Sequence, residues 1–402
     1  MAVAVLTDGP PRPRPLWPTK PAKSKTQPHL LLRPLAGIGR LWHTIGSAAE
    51  WLFGVAAIVG ALAVLATIPI LQMLSLGYLL EVAGRVARQD SLRAGLVGVR
   101  RAARVGSIVL GVWLVFWPLR FVSEMAASAQ LIDPGGPVAL RWQRGLVVLG
   151  IATVCHVTSA LLRGGRLRSF CWPRPIHFVR QILRRSTYAL ARDALWNFTA
   201  SLRLPYYFWL GLRGFVGAAA WLVVPVSLLG LAPRLPGGAG VLLGLIGGIL
   251  LAIVLVHLPF LQTRYAAQNR LRAMFEWGAV RAAFARAPVV FLIALLFTLA
   301  LALPLYILKI EIVPRETAWL PSLLFVLSIW PARMISGWAY ARSQRHSARR
   351  HWLFRWMSRL AMAPMVAFYV LVVFFTQYLS WHGVWSLYEQ HAFLVPVPFL
   401  GL

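Results

Sequence analysis

Residues 51–80 run for thirty positions without a charged side chain. A helix needs only about 20 apolar residues to cross the hydrocarbon core of a bilayer. Comparable uncharged runs occupy residues 239–261 and 288–308. A water-soluble domain has no place for such runs: soluble domains carry about 25% charged residues, and this chain carries 13% with a mean hydropathy of +0.68.

The apolar segments are 51–80, 105–123, 145–162, 206–232, 239–261, 288–308, 318–340 and 360–381. They predict an all-α, polytopic integral membrane bundle. It would have about seven crossings plus a re-entrant hairpin, or eight crossings, with amphipathic helices at the interface. Residues 35–402 then form a single transmembrane domain. Trp51, Trp142, Tyr206, Tyr207, Trp209, Trp319, Trp338 and Trp381 fall near segment ends, where aromatic belts form.

Charge sets the orientation. Lys plus Arg is 41 and Asp plus Glu is 11, giving +30. The connections 81–104, 163–205, 262–287 and 341–359 together hold 26 basic residues, and the alternating connections 124–144, 233–238, 309–317 and 382–402 hold 5. The basic set is therefore expected in the cytoplasm, with the C-terminus outside, in a bacterial cytoplasmic membrane. Basic residues interleaved with spans suit anionic phospholipid head groups. A nucleic-acid role would need a folded soluble module, and none is visible.

Residues 1–34 hold eight prolines together with Arg12, Arg14, Lys20, Lys23, Lys25 and Arg33. This composition predicts a disordered, basic cytoplasmic tail. No run in residues 1–29 is long enough for a signal peptide, so the first apolar segment is expected to act as the insertion signal. The tail then conflicts with a single crossing by 51–80. Two full crossings would need about 40 residues. A re-entrant hairpin resolves this: it enters from the cytoplasm, breaks near Thr67, Ile68 and Pro69, and returns through Gly77 and Tyr78. Pro69 lacks a backbone donor. The alternative is one long tilted helix.

The basic connectors have their own pattern. In 176–198, Ile176, Val179, Leu183, Leu190, Ala194 and Phe198 recur at helical spacing, with Arg180, Arg184, Arg185 and Arg192 on other faces. That predicts a helix lying in the interface plane. Residues 265–287 and 341–359 show weaker versions. A further echo pairs Ile68-Pro69-Ile70-Leu71-Gln72 with Leu258-Pro259-Phe260-Leu261-Gln262. Transporters are often built from such halves.

The stretch from Ile68-Pro69 through Gly77, Tyr78, Leu79 and Leu80 to Arg85 resembles the opening hairpin of a family of bacterial polytopic membrane proteins known only as a domain of unknown function. Arg264, Tyr265, Ala266, Arg270, Leu271, Phe275 and the Arg286-to-Pro288 run supply a second matching element. Where that family has an acidic, proline-containing stretch, this chain reads Arg88, Gln89, Asp90, Ser91. The resemblance implies the hairpin and supplies no activity.

Chemistry-bearing groups are sparse. All 11 acids fall in tails, connectors or span ends, with Glu124, four residues after Arg120, nearest a core position. This pair reads as an ion pair at the outer interface, or as a gate. Arg213 and Arg333 sit a turn or two inside cytoplasmic span ends. Their stems suit snorkelling to head groups; an anion site is the sharper alternative. His156 lies near a span centre and reads as a neutral imidazole bonded to a neighbouring helix, or as a proton relay or metal ligand. Gly240, Gly244 and Gly248 form a small-residue stripe for helix packing, within the chain or in a homo-oligomer. Cys155 and Cys171 lack metal-ligand spacing and are expected as free thiols. The sequence contains no phosphate loop, no GxSxG and no HExxH, so neither catalytic residues nor a metal or other cofactor is expected. The leading functional expectation is non-enzymatic organisation of the membrane through anionic lipid and helix contacts. The alternative is a transporter or channel for an anionic or lipidic solute.

Overall fold

The computed structural model describes residues 33–172, 185–307, 319–380, 382–390 and 393–394, with side chains of the first helix from Gly46 onward. Residues 1–49 and 50–402 form separate units. Of the first unit only the start of a helix is described, and the bundle belongs to the second.

The helices are α1 (Arg33–Thr67), α2 (Gln72–Gln89), α3 (Val99–Ile132), α4 (Pro137–Leu162), α5 (Leu167–Cys171), α6 (Arg185–Leu202), α7 (Leu204–Leu231), α8 (Gly238–Gln268), α9 (Trp277–Arg286), α10 (Pro288–Ile307), α11 (Trp319–Gln344) and α12 (Trp352–Leu379). No strand occurs among the described residues. Among the described residues eight helical stretches are long and apolar enough to cross a membrane, and the chain is an all-α polytopic membrane bundle. The helices outrun the apolar segments. α8 continues to Gln268 and α11 to Gln344, because backbone hydrogen bonding does not stop where hydropathy falls.

The expected break after Thr67 is present. Residues 68–71 turn, with Ile70 at φ 71°. Leu71 N–H donates to Pro69 O at 2.9 Å, and Gln72 N–H to Ile68 O at 3.0 Å. α2 then folds back along α1, and Ser75 Oγ donates to Leu62 O at 3.0 Å. Leu258–Gln262, by contrast, lies inside the continuous helix α8. The echo between these two stretches therefore pairs a turn with a helix interior. Prolines 118, 225, 259, 304, 331 and 364 all sit inside helices.

α2 is the hub. Most of its residues are buried, and it packs on α7, α8 and α11. Helices in lipid associate by close van der Waals packing, which small residues permit. Gly77 meets Gly211 of α7 so closely that a Cβ on either would collide with the opposite backbone. Gly84 lies against Ala266 of α8, and Gly337 of α11 against Ala83. α3 and α4 pack mainly on each other and expose broad apolar faces, including Trp113, Trp117, Val148 and Ile151.

All four basic connectors meet at one end of the bundle. Arg101 Nη1 donates to Ser201 O at 2.7 Å, and Arg88 Nη1 to Ala266 O at 2.9 Å. Asp90 pairs with Arg345, and Arg350 N–H donates to Ala285 O at 2.9 Å. At the opposite end Ser227 Oγ bonds Tyr388 Oη at 2.8 Å. The chain after α12, expected as an outer loop, turns back into the bundle: Gln390 and Phe393 are fully buried.

Candidate lipid-binding groove

At the basic end a cavity of about 780 Å³ opens between α1, α2, the start of α3 and the α6–α7 junction. The hairpin creates it. Ile58, Leu62 and Leu65 of α1 and Leu74 of α2 form an apolar wall, while Arg85, Arg100, Arg101 and Arg203 line the basic part. Arg100 and Arg203 are exposed, so their charge is open to a ligand. No carboxylate is among the described residues that line the cavity. Tyr78 holds the floor, donating to Val97 O at 2.8 Å. Its ring packs 5.8 Å from both Tyr207 and Trp330.

One carboxylate organises the residues behind this wall. Glu81 is 3% exposed. Its Oε1 accepts from Arg85 Nε at 2.8 Å and Arg88 Nη2 at 2.9 Å, and its Oε2 from Tyr206 Oη at 2.8 Å. Glu81 opens the 81–104 connector in sequence, yet the fold buries it because α2 continues to Gln89. Tyr206 and Tyr207 are half-buried, Tyr206 bonded to Glu81 and Tyr207 packed on Tyr78. The signal for this cluster in the sequence is the spacing of Glu81, Arg85 and Arg88 on one helical face.

The residues singled out from sequence do not converge. Arg120 and Glu124 pair at 3.2 Å with side chains 80% and 61% exposed, beside a crevice between α3 and α4 that Trp113 and Gly150 also line. His156 is half-buried, with Nε2 2.7 Å from Phe170 O; it donates to the carbonyl of α5. Arg213 is exposed, its guanidinium 6.0 Å from the Trp209 ring.

Arg333 departs from the snorkelling reading. It is 3% exposed and donates from Nη1 to Gln262 Oε1 at 2.6 Å. Gln262 in turn donates to Phe393 O at 2.7 Å. The helix extends eleven residues beyond Arg333, placing the charge far from either end.

Arg180 and Arg184 lie outside the described residues, and Arg185 begins α6. On α6, Leu195 and Trp196 are exposed. Gly240 approaches the backbone of the α7–α8 turn closely, whereas Gly244 and Gly248 make ordinary contacts; the tighter α7–α8 contact is at Gly247. Cys155 and Cys171 are free and exposed.

Comparison with protein-family models, with curated proteins and with solved structures gives no match. The family resemblance therefore rests on the Ile68-to-Arg85 and Arg264-to-Pro288 residues alone.

Proposed function

We propose that this chain organises the cytoplasmic leaflet of a bacterial membrane by holding anionic phospholipid, without catalysing a reaction. The observation that carries the reading is the groove whose basic side is Arg85, Arg100, Arg101 and Arg203 and whose apolar side is Ile58, Leu62 and Leu65. An anionic lipid needs both features in one place: guanidinium groups for the phosphate and an apolar wall for the chains. The gathering of four basic connectors at one end supports the same orientation, because cytoplasmic connections carry the excess of Lys and Arg. That end then faces the cytosol, and the C-terminus lies outside.

The test uses the purified full-length protein in mixed vesicles of phosphatidylglycerol and phosphatidylcholine. Lipid co-purifying with the protein should be enriched in phosphatidylglycerol. Arg100→Gln with Arg203→Asn should reduce that enrichment. Equal recovery of both lipids by the unaltered protein would sink the reading.

A second reading, a carrier of an anionic or lipidic solute, is favoured by the buried Arg333–Gln262 pair, since ionisable groups inside membranes often mark solute paths. Flux into reconstituted vesicles that Arg333→Gln abolishes would favour it.

A further inference from the structure

The segments closing α2 and α8 resemble one another. Residues 85–94 read Arg-Val-Ala-Arg-Gln-Asp-Ser-Leu-Arg-Ala, and residues 264–273 read Arg-Tyr-Ala-Ala-Gln-Asn-Arg-Leu-Arg-Ala, identical at six of ten positions. The backbones agree as well. α2 ends in a left-handed cap at Asp90, φ 50°, whose N–H bonds Val86 O; α8 ends at Asn269, φ 52°, whose N–H bonds Tyr265 O. Asp and Asn tolerate this conformation. An extended residue follows each cap, then a 3₁₀ turn, Leu92–Gly95 in one segment and Leu271–Phe275 in the other, and then the next helix.

A second groove lies beside α8, as the first lies beside α2. A cavity of about 490 Å³ lies between α8, α9 and α12. In the register that aligns Arg85 with Arg264, several of its wall positions are the counterparts of walls in the first: Ile253 for Leu74, His257 for Tyr78, Arg281 for Ala102 and Phe284 for Val105. Its chemistry is again divided. Arg281 and Arg359 line it and are exposed, and Arg359 stands 5.5 Å from the Phe284 ring. Ile249, Ile253 and Ala363 supply an exposed apolar wall, and no carboxylate is among the described residues that line it.

We infer that this second groove binds one anionic diacyl phospholipid, its phosphate between Arg281 and Arg359 and its chains along the apolar wall. The chain thus carries two lipid sites. Charge complementarity names the occupant: two guanidinium groups with no opposing carboxylate, beside an apolar wall that runs along the membrane-crossing helices α8 and α12. The inference rests on the lipid reading of the first groove, and its test separates the two.

Native mass spectrometry of the full-length protein, released from phosphatidylglycerol–phosphatidylcholine vesicles, counts the phosphatidylglycerol retained per chain. The unaltered protein should retain two. Arg281→Gln with Arg359→Gln should retain one, and Arg100→Gln with Arg203→Asn should also retain one. Ala363→Phe, which fills the second cavity without touching charge, should likewise leave one. Retention of two by both second-groove variants overturns this inference and leaves the first groove standing. Retention of a single lipid by the unaltered protein, lost with the first-groove variant, also overturns it. No retention by any form overturns both readings.

Discussion

Arg333 of α11 and Gln262 of α8 join at 2.6 Å inside the bundle, and Gln262 passes the bond on to the carbonyl of Phe393. A charge far from either helix end is thereby tied to the returning C-terminal segment. Leaving a buried amide oxygen without a donor costs about 1–3 kcal/mol. Arg333→Met should therefore lower thermal stability in detergent. Adding Gln262→Leu should cost less than the sum of the two single changes, because both belong to one network. Additive losses would show that the pair is not coupled.

The crossing of α2 and α7 yields a steric prediction. Gly77 and Gly211 leave no room for a Cβ. Overpacking a tight core contact costs about 1–3 kcal/mol, and here the opposing atoms are backbone, which cannot swing aside. Gly77→Val should destabilise by about 3 kcal/mol. Gly278→Ala, where a Cβ meets nothing within 4 Å, is the control and should change little. Equal melting temperatures for both would refute the crossing.

Much of this architecture is legible in the chain. Uncharged runs locate the spans, and the arginine imbalance picks out the basic connections that the fold gathers at one end. Pro69 marks the turn. What hydropathy does not show is α2 as a buried helix. Glu81, Arg85 and Arg88 make it look like a connector, and their neutralisation depends on Tyr206, distant in the chain. The burial of Arg333 is hidden for the same reason: its partner Gln262 comes from another helix. The likeness of Ile68–Gln72 to Leu258–Gln262 is one of apolar composition, and the two stretches differ in backbone. The register that shares backbone geometry is set by Arg85–Ala94, whose helix cap and 3₁₀ turn do not stand out in hydropathy.

The Glu81 cluster makes its own prediction. Its carboxylate accepts three hydrogen bonds while two guanidinium groups remain about a third exposed. Glu81→Gln removes the buried charge and leaves two cations near each other. Partial solvation limits the loss to roughly 1–3 kcal/mol. The change should lower the melting temperature, and Tyr206→Phe should lower it less. A larger loss for Tyr206→Phe would contradict the assignment of Glu81 as organiser.

Acid should loosen the α8–α9 junction. Arg264 donates to Glu276 from Nε at 2.9 Å, and this hydrogen bond holds the Glu276 carboxyl below its ordinary value of 4.5. A depressed carboxylate stabilises the fold above its unfolded pKa and loses that contribution as pH falls through the folded one. Thermal stability measured between pH 6 and 3 should therefore fall below about pH 4.5, and Glu276→Gln should flatten that part of the curve. An unchanged curve in the variant would mean that other carboxylates carry the acid response.

The hairpin predicts where its ends and tip lie. α2 closes at the basic end of the bundle, and Gly54 of α1 lies against Val99 at the start of α3, on that same side. The turn at 68–71 exposes Ile68, Ile70 and Leu71. An apolar tip suits lipid rather than water. With Cys155 and Cys171 replaced by Ser, a single cysteine at Ser24 should react with an impermeant maleimide only after cells are opened. A cysteine at Ile70 should react poorly in both conditions, because a thiolate does not form readily in hydrocarbon. At Arg345, beside the tie to Asp90, labelling should again require opened cells. Labelling of Ser24→Cys in intact cells would place the tail outside and replace the hairpin with a single crossing.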